Sequence, residues 1–403
     1  MRVMVLIMAT FWATLMTSEA MATTYSVRFC AKANIFYDDV DSSVGDDHWT
    51  DNAVDQLLYG ARVRVQRNSD GLDVYYDYTS YSGTYIGCTP LLNLSSTENY
   101  AVKVYSEAYV NGNYVTVRDN SSSDTRYNFI LSSYYTPTAS KTEQITTNQG
   151  NAWNITAASA FALSRFWAGL SGKTFTFYNS QNENCSGSCL YLGKVYLSTD
   201  GADSKYIITH EMGHAVAYHT NGGFSANSSY VATLDNCYTV STRSHEMVSK
   251  EYNSSAANEG IAHFYAAITW NSPSYSDCQF EYYKTVDYDL DSNLDDQTTG
   301  CECEPNDGIG DCYDYLGDIC SGTLANRGTE YDWLRFFWDM KTDQALSVSE
   351  IFGIWDEAHP WTWNQDDSGS SSDDPAVRLR DAANTLGFLT EWDNEDNLNG
   401  VHR

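Results

Sequence analysis

His210-Glu211-Met212-Gly213-His214 sets two imidazoles and a carboxylate within about one helical turn. On a helix, residues four apart lie on one face, so His210 and His214 can offer ring nitrogens to one metal ion while Glu211 reaches a water beside it. The chemistry such a group could do is hydrolysis by metal-activated water, and its donor set suits zinc. The flanks favour a helix. Apolar residues fill positions 207, 208, 212, 215 and 216, Asp203 or Ser204 offers an N-cap, and Gly222-Gly223 stands where the run ends. Two histidines and a glutamate on an otherwise apolar helix are costly to bury without a metal.

Hydrolytic zinc is usually held by three protein ligands, so the two histidines are incomplete. His219 is a poor third. In the pattern HExxHxxGxxH the last His falls six residues after the second and a Gly lets the chain turn back, whereas His219 comes one residue early and Ala217 stands in place of the Gly. A packing or solvent-facing role is expected for it. Glu259, in Ala256-Ala257-Asn258-Glu259-Gly260-Ile261-Ala262-His263, is the better candidate. Ser249 can cap a helix starting near Lys250 and running to about Trp270, with Gly260 a weak point in it. One turn from Glu259 lie Ser255, Ala256, Ala262 and His263, a small-residue face able to approach a neighbouring helix closely.

HExxH followed by Asn258-Glu259-Gly260-Ile261-Ala262 resembles the gluzincin metallopeptidases, which draw a third zinc ligand from a Glu on a second helix, often within N-E-G-x-A. The resemblance covers about residues 173–270. It implies zinc held by His210, His214 and Glu259, Glu211 as the general base, and a protein or peptide substrate whose bond is cut by water. One position departs from the pattern: thermolysin-like members carry an Asp four residues after the ligand Glu to orient a zinc histidine, and this chain has His263 there. A further donor usually steadies the oxyanion beside the metal, and His245, His263 and Tyr331 are the candidates. No motif that would anchor a substrate amino terminus is evident upstream of His210, which favours an endopeptidase; a gluzincin aminopeptidase is the nearest alternative, and a surface binding or adhesion protein with a degenerate zinc site is the alternative from another class. An intact Glu211 argues against the last, because a structural zinc site needs no base.

The elements that would position these residues follow a change of pattern along the chain. From residue 23 to 131, short alternating runs such as Ala61-Arg62-Val63-Arg64-Val65 and Tyr114-Val115-Thr116-Val117-Arg118 predict an antiparallel β-sandwich, with hairpin turns at Asn68-Ser69-Asp70-Gly71 and Asn111-Gly112-Asn113. The strand spacing weakly resembles small prealbumin-like sandwiches. Residues 132–151, rich in Ser, Thr and Asn, read as a linker. Residues 152–403 would then form the zincin-like domain, giving an α+β fold. Within it, Asn154 can cap a helix through Ala157 to Leu170, and strands are expected at 173–178 and 194–198 before the HExxH helix. That order resembles the upper half of a zincin, with 195–198 the candidate edge-strand segment for binding extended substrate. Near residue 331, Thr329 can cap an aromatic helix whose Trp333, Phe336, Phe337 and Trp338 read as core.

Composition bounds the setting. The 403 residues carry 53 acidic and 23 basic side chains, a formal net charge of −30, which excludes the clustered Lys and Arg that nucleic-acid binding requires. Residues 1–22 read as a signal peptide, with Arg2, an apolar Val3–Met16 and a small-x-small site at Ala20-Met21-Ala22, so export and no membrane span are expected. Ten cysteines without a CxxC pair fit disulfides of an oxidising compartment, Cys30 with Cys88 being a plausible pair. Asp287, Asp289, Asp291, Asn293, Asp295 and Asp296 could supply oxygen ligands to calcium, although Ser292 and Thr298 break the EF-hand pattern.

Overall fold

The computed structural model describes residues 22–36, 52–182, 185, 187–228, 235–236, 249–271, 279–280, 299–300, 327–364, 371–399 and 401. The expected signal peptide, the acidic stretch 287–296, His245 and the cysteines at 237, 278, 301, 303, 312 and 320 lie outside them.

Strands β1 (Thr24–Phe36), β2 (Asn52–Leu57), β5 (Leu92–Ser95) and β9 (Lys141–Thr147) form one sheet. A second sheet runs β11 (Cys189–Tyr191), β12 (Lys194–Tyr196), β10 (Thr174–Tyr178), β7 (Asn113–Arg118), β6 (Tyr100–Val110), β3 (Ala61–Arg67) and β4 (Asp73–Tyr78), with β8 (Asn128–Tyr135) also paired to β6. Alternation explains both. Val63 and Val65 are buried while Arg62 and Arg64 between them are not, and Val27, Phe29, Ala31 and Ala33 of β1 turn into the same apolar core. The two expected hairpins are present. Asn111 and Gly112 both have positive φ, 48° and 80°, the backbone a two-residue primed turn between twisted strands requires.

The expectation of a self-contained antiparallel sandwich at 23–131 followed by a linker is corrected in two places. The stretch 132–151 carries the end of β8 and all of β9, and β9 pairs in parallel with β1 from Val27↔Lys141 to Ala33↔Thr147. The second sheet also crosses the expected boundary, because β7 pairs in parallel with β10 from Thr174↔Tyr114 to Tyr178↔Arg118. Parallel neighbours need a crossover, and helix α1 (Asn151–Arg165) supplies it. Almost every α1 side chain from Ala152 to Leu163 is buried, since the helix packs on β1, β6 and β7 and also on the HExxH helix. It starts after Gly150 and ends at Arg165, earlier than the expected Asn154 to Leu170, because Phe166 is already extended and Ala168 and Gly169 beyond it adopt positive φ.

Beyond the short α2 (Thr199–Ala202), helices stack in series: α3 (Lys205–Thr220) on α4 (Asn253–Trp270), α4 on α5 (Glu330–Thr342), and α5 on α8 (Leu389–Asn399). Helix α6 (Val348–Glu357) packs on α3, and α7 (Pro375–Leu386) joins α6 to α8. A small sheet of β13 (Asp235–Asn236), β14 (Ser249–Tyr252) and β17 (Arg327–Gly328) brings the starts of α4 and α5 together, while β15 (Gln279–Phe280) pairs with β16 (Thr299–Gly300). Ser249 is therefore in a strand and does not cap α4, which begins at Asn253. The fold is mixed α and β, with a large sheet on one side and a helical stack on the other.

Cys30 pairs with Cys88, and Cys185 pairs with Cys189, the first residue of β11. Among the described residues no helix is long and apolar enough to cross a membrane.

Candidate metal centre

Helix α3 begins where its cap requires. Ser204 Oγ accepts a hydrogen bond from the Ile207 N–H at 3.1 Å, and the helix ends at Asn221 before Gly222, whose φ is 67°. This places His210 and His214 on one face, with ring centroids 4.9 Å apart. Glu259 comes from α4, and its Oε2 lies 3.1 Å from His210 Nε2 and 3.0 Å from His214 Nε2. All three side chains offer ligand atoms within 4.8 Å of one another. The three residues singled out as ligands are thus brought together.

Two backbone features set that distance. Gly213, inside the HExxH segment, faces Ala262 of α4; a Cβ there would come within 2.8 Å of Ala262 Cα and 2.9 Å of its carbonyl oxygen. Only a residue without a side chain lets the helices meet so closely. A hydrogen bond then fixes their register, Trp270 Nε1 donating to Thr209 Oγ1 at 2.9 Å. Others tie α4 to the end of α1: Tyr265 O–H donates to the Phe166 carbonyl at 2.8 Å, and Arg165 donates to the Thr269 and Asn271 carbonyls at 2.6 and 3.2 Å, satisfying acceptors at the end of α4.

The donor set can hold a metal ion. Burial is the main reason that the His210 imidazole is held in its neutral form, its pKa pushed down to about 3, with His263 beside it acting in the same direction and Glu259 opposing. A neutral imidazole nitrogen and a carboxylate oxygen are both lone-pair donors when they bind metal, and a cation between them relieves their repulsion. Glu211 sits on the same turn as His210 and is buried, 7% exposed.

His219 is elsewhere. Its ring packs edge-on against Phe175 of β10, with centroids 4.9 Å apart, and burial followed by the nearby Lys173 charge lowers its pKa. It is a packing histidine, as its spacing suggested. Of the three oxyanion candidates, His263 is completely buried behind His210, and Tyr331 is buried in α5 with the Arg335 guanidinium 5.9 Å from its ring centre. Neither occupies a solvent-facing position beside the ligands.

His263 has another place. Its Nδ1 lies 3.1 Å from His210 Nδ1 and 3.0 Å from the Tyr206 hydroxyl, and its Nε2 lies 3.0 Å from Glu330 Oε2. Sequence reasoning missed Tyr206 and Glu330. Glu330 had the look of an ordinary acid in the first turn of a Thr329-capped helix, a turn in which Thr329 Oγ1 does accept from Asp332 N–H at 3.1 Å.

The edge of the sheet also differs from expectation. β12 is covered on both sides, by β10 in parallel and by β11 antiparallel, so among the described residues the open edge belongs to β11, Cys189-Leu190-Tyr191, which packs beside α3. A scan against protein-family models finds none that matches this chain, and a search of curated proteins finds no match.

Proposed function

We propose that the protein is a zinc-dependent metallopeptidase. More narrowly, it is an exported endopeptidase of gluzincin type, with a zincin-like arrangement of α1, the β10–β12 edge, α3 and α4. The observation that carries this reading is the convergence of His210 Nε2, His214 Nε2 and a Glu259 carboxylate oxygen, from an HExxH helix and a separate helix bearing Asn258-Glu259-Gly260. Three protein ligands of this kind leave a position open for substrate or water, as catalytic zinc sites do. Zinc in that position supplies Lewis acidity, which acidifies water and polarises a carbonyl.

The rest falls to the chain. Glu211 takes a proton from the attacking water and passes it to the departing amine, so the bond that forms is carbon to water oxygen and the bond that breaks is carbon to amide nitrogen. An extended peptide can add its backbone to the open side of β11, which holds the scissile bond in register beside α3. Such pairing reads backbone on both sides of the cut, which favours an endopeptidase over an aminopeptidase. The Cys30–Cys88 and Cys185–Cys189 disulfides support export to an oxidising compartment.

The test is zinc content and casein cleavage of the purified protein and of Glu211→Gln. The expected result is about one zinc per chain in both, with cleavage by the unaltered protein and a loss of at least about a hundredfold in the variant, the contribution of a general base. Zinc bound without cleavage of casein or of a broad peptide library by either protein would leave a binding protein with a structural metal.

A further inference from the structure

We propose that Glu330, acting through His263, fixes the tautomer and orientation of the metal-binding histidine His210. The proposal rests on the reading of His210, His214 and Glu259 as a metal centre, and it names two positioning residues for that centre. It also supplies what the sequence lacks at position 263, where a carboxylate would contact the histidine directly.

Proton accounting over four side chains carries it. Glu330 opens α5, where the positive end of the helix dipole favours an ionised carboxylate, and an ionised carboxylate only accepts hydrogen bonds. His263 Nε2, 3.0 Å away, must therefore carry a proton. In the neutral imidazole Nδ1 is then bare, an acceptor. Its single lone pair faces the Tyr206 hydroxyl at 3.0 Å and His210 Nδ1 at 3.1 Å, and takes a full hydrogen bond from one of them. With His210 as that donor, the His210 proton sits on Nδ1 and a bare Nε2 turns toward Glu259. A proton on His263 Nδ1 would reverse the chain, moving the proton of His210 to Nε2 and into the ligand cluster.

Burial limits the part that solvent plays. His263 is 0% exposed, Glu330 1% and Tyr206 2%, so water cannot readily substitute for any partner. Geometry holds them as well: Gly260 admits α5 against α4, since a Cβ at that position would collide with Trp333 and lie 3.1 Å from the Glu330 carbonyl oxygen. The carboxylate and the histidine it orients are thus on helices joined by backbone contact. Supporting hydrogen bonds to metal-binding histidines raise metal affinity about 10–100-fold.

The experiment uses the full mature chain, depleted of metal and titrated with zinc in competition with a chromophoric chelator, together with nitrogen NMR of histidine-labelled protein. Glu330→Gln keeps the size of the side chain and guards against a folding defect, and Glu330→Ala removes the acceptor altogether. Expected are a fall in zinc affinity of about tenfold for Glu330→Gln and up to about a hundredfold for Glu330→Ala, with a protonated Nδ1 on His210 in the unaltered protein. Rescue is expected in the double variant His263→Asp, Glu330→Gln, where a carboxylate faces His210 without an intervening ring. Unchanged zinc affinity in both single variants, or a His210 protonated on Nε2 in the unaltered protein, overturns the relay while leaving the metal centre intact. An unaltered protein that binds no zinc overturns the metal centre itself.

Discussion

Replacing Gly213 by Ala puts one methyl group between the two helices that carry the proposed ligands. The new Cβ would lie 2.8 Å from Ala262 Cα, 2.9 Å from Ala262 O and 3.1 Å from Tyr265 Cβ, against about 3.5–4.0 Å for an unstrained carbon pair. The obstacle is backbone, so it cannot swing aside, and the helices must separate by about 0.7 Å. Glu259 lies on α4, one turn before Ala262, and its carboxylate oxygen sits 3.1 and 3.0 Å from the two Nε2 atoms on α3. A separation of that size exceeds the tolerance of about 0.2 Å on a ligand distance. Zinc affinity should fall at least about tenfold, as it does when the support of a single ligand is lost.

Stability gives a second reading of the same change. Overpacking costs about 1–3 kcal/mol, and Ala returns about 0.8–1.0 kcal/mol of helix propensity relative to Gly. The metal-free protein should therefore lose up to about 2 kcal/mol. Gly353→Ala in α6 is the matched control, because nothing lies within 4 Å of a Cβ built there and only the propensity gain remains. The assay is zinc affinity with thermal unfolding of the metal-free protein for both variants. If Gly213→Ala melts higher than the unaltered protein and binds zinc equally well, then close helix approach does not set the ligand geometry.

Other expected outcomes follow from the same structure. Glu259→Ala should lose bound zinc, measured by elemental analysis, while His219→Ala keeps it; the reverse result would refute the ligand assignment. Glu395 is buried, and burial, with Asp339 and Asp343 nearby, raises its pKa to about 7 against the opposing hydrogen bond from Gln344. The folded form then holds the proton more tightly than the unfolded chain, so its stabilising contribution is complete below about pH 4.5 and is lost as pH rises to about 7. Glu395→Gln should raise the melting temperature at pH 8 and change it little at pH 4, and equal effects at both would contradict the shift. Replacing Cys30 and Cys88 by Ser opens a loop of sequence separation 58, which should cost about 4 kcal/mol in denaturant unfolding under non-reducing conditions.

How much of this was legible in the sequence depends on the range of each interaction. Helix α3, its Ser204 cap and the one-face placement of His210 and His214 are local, and so are the Asn111-Gly112 turn and the alternation of β3 and β7. Glu259 was legible through its neighbours, Asn258 before it and Gly260 after it. Strand pairing was not. β7 and β10 each alternate as an ordinary strand, and nothing in either states that α1 carries the chain across so that they pair in parallel. Ser249 looked like a cap because its strand partner, Asn236 of β13, is remote in sequence, and β11 is too short for a period to register. Glu330 was hidden by an adequate local explanation: an acid in the first turn of a capped helix is expected whether or not it faces a histidine.

Gly260 shows why a local weakness can be a nonlocal requirement. Within α4 it lowers helix propensity by about 1 kcal/mol relative to Ala, and taken alone it argues against a helix through Glu259. The contact it makes possible reverses that judgement. Gly213 admits α4 to α3, and Gly260, next to Glu259, admits α5 to α4, so these three helices meet backbone to backbone. Side chains in a packed core can change rotamer, whereas apposed helix backbones can only move as bodies. Ligands on α3 and α4 and a supporting carboxylate on α5 are thereby held to a precision that bulkier contacts would not give. Neither glycine contributes a ligand atom, yet each determines whether the ligand atoms converge, and substituting either should disturb metal binding more than substituting an average core side chain of α4.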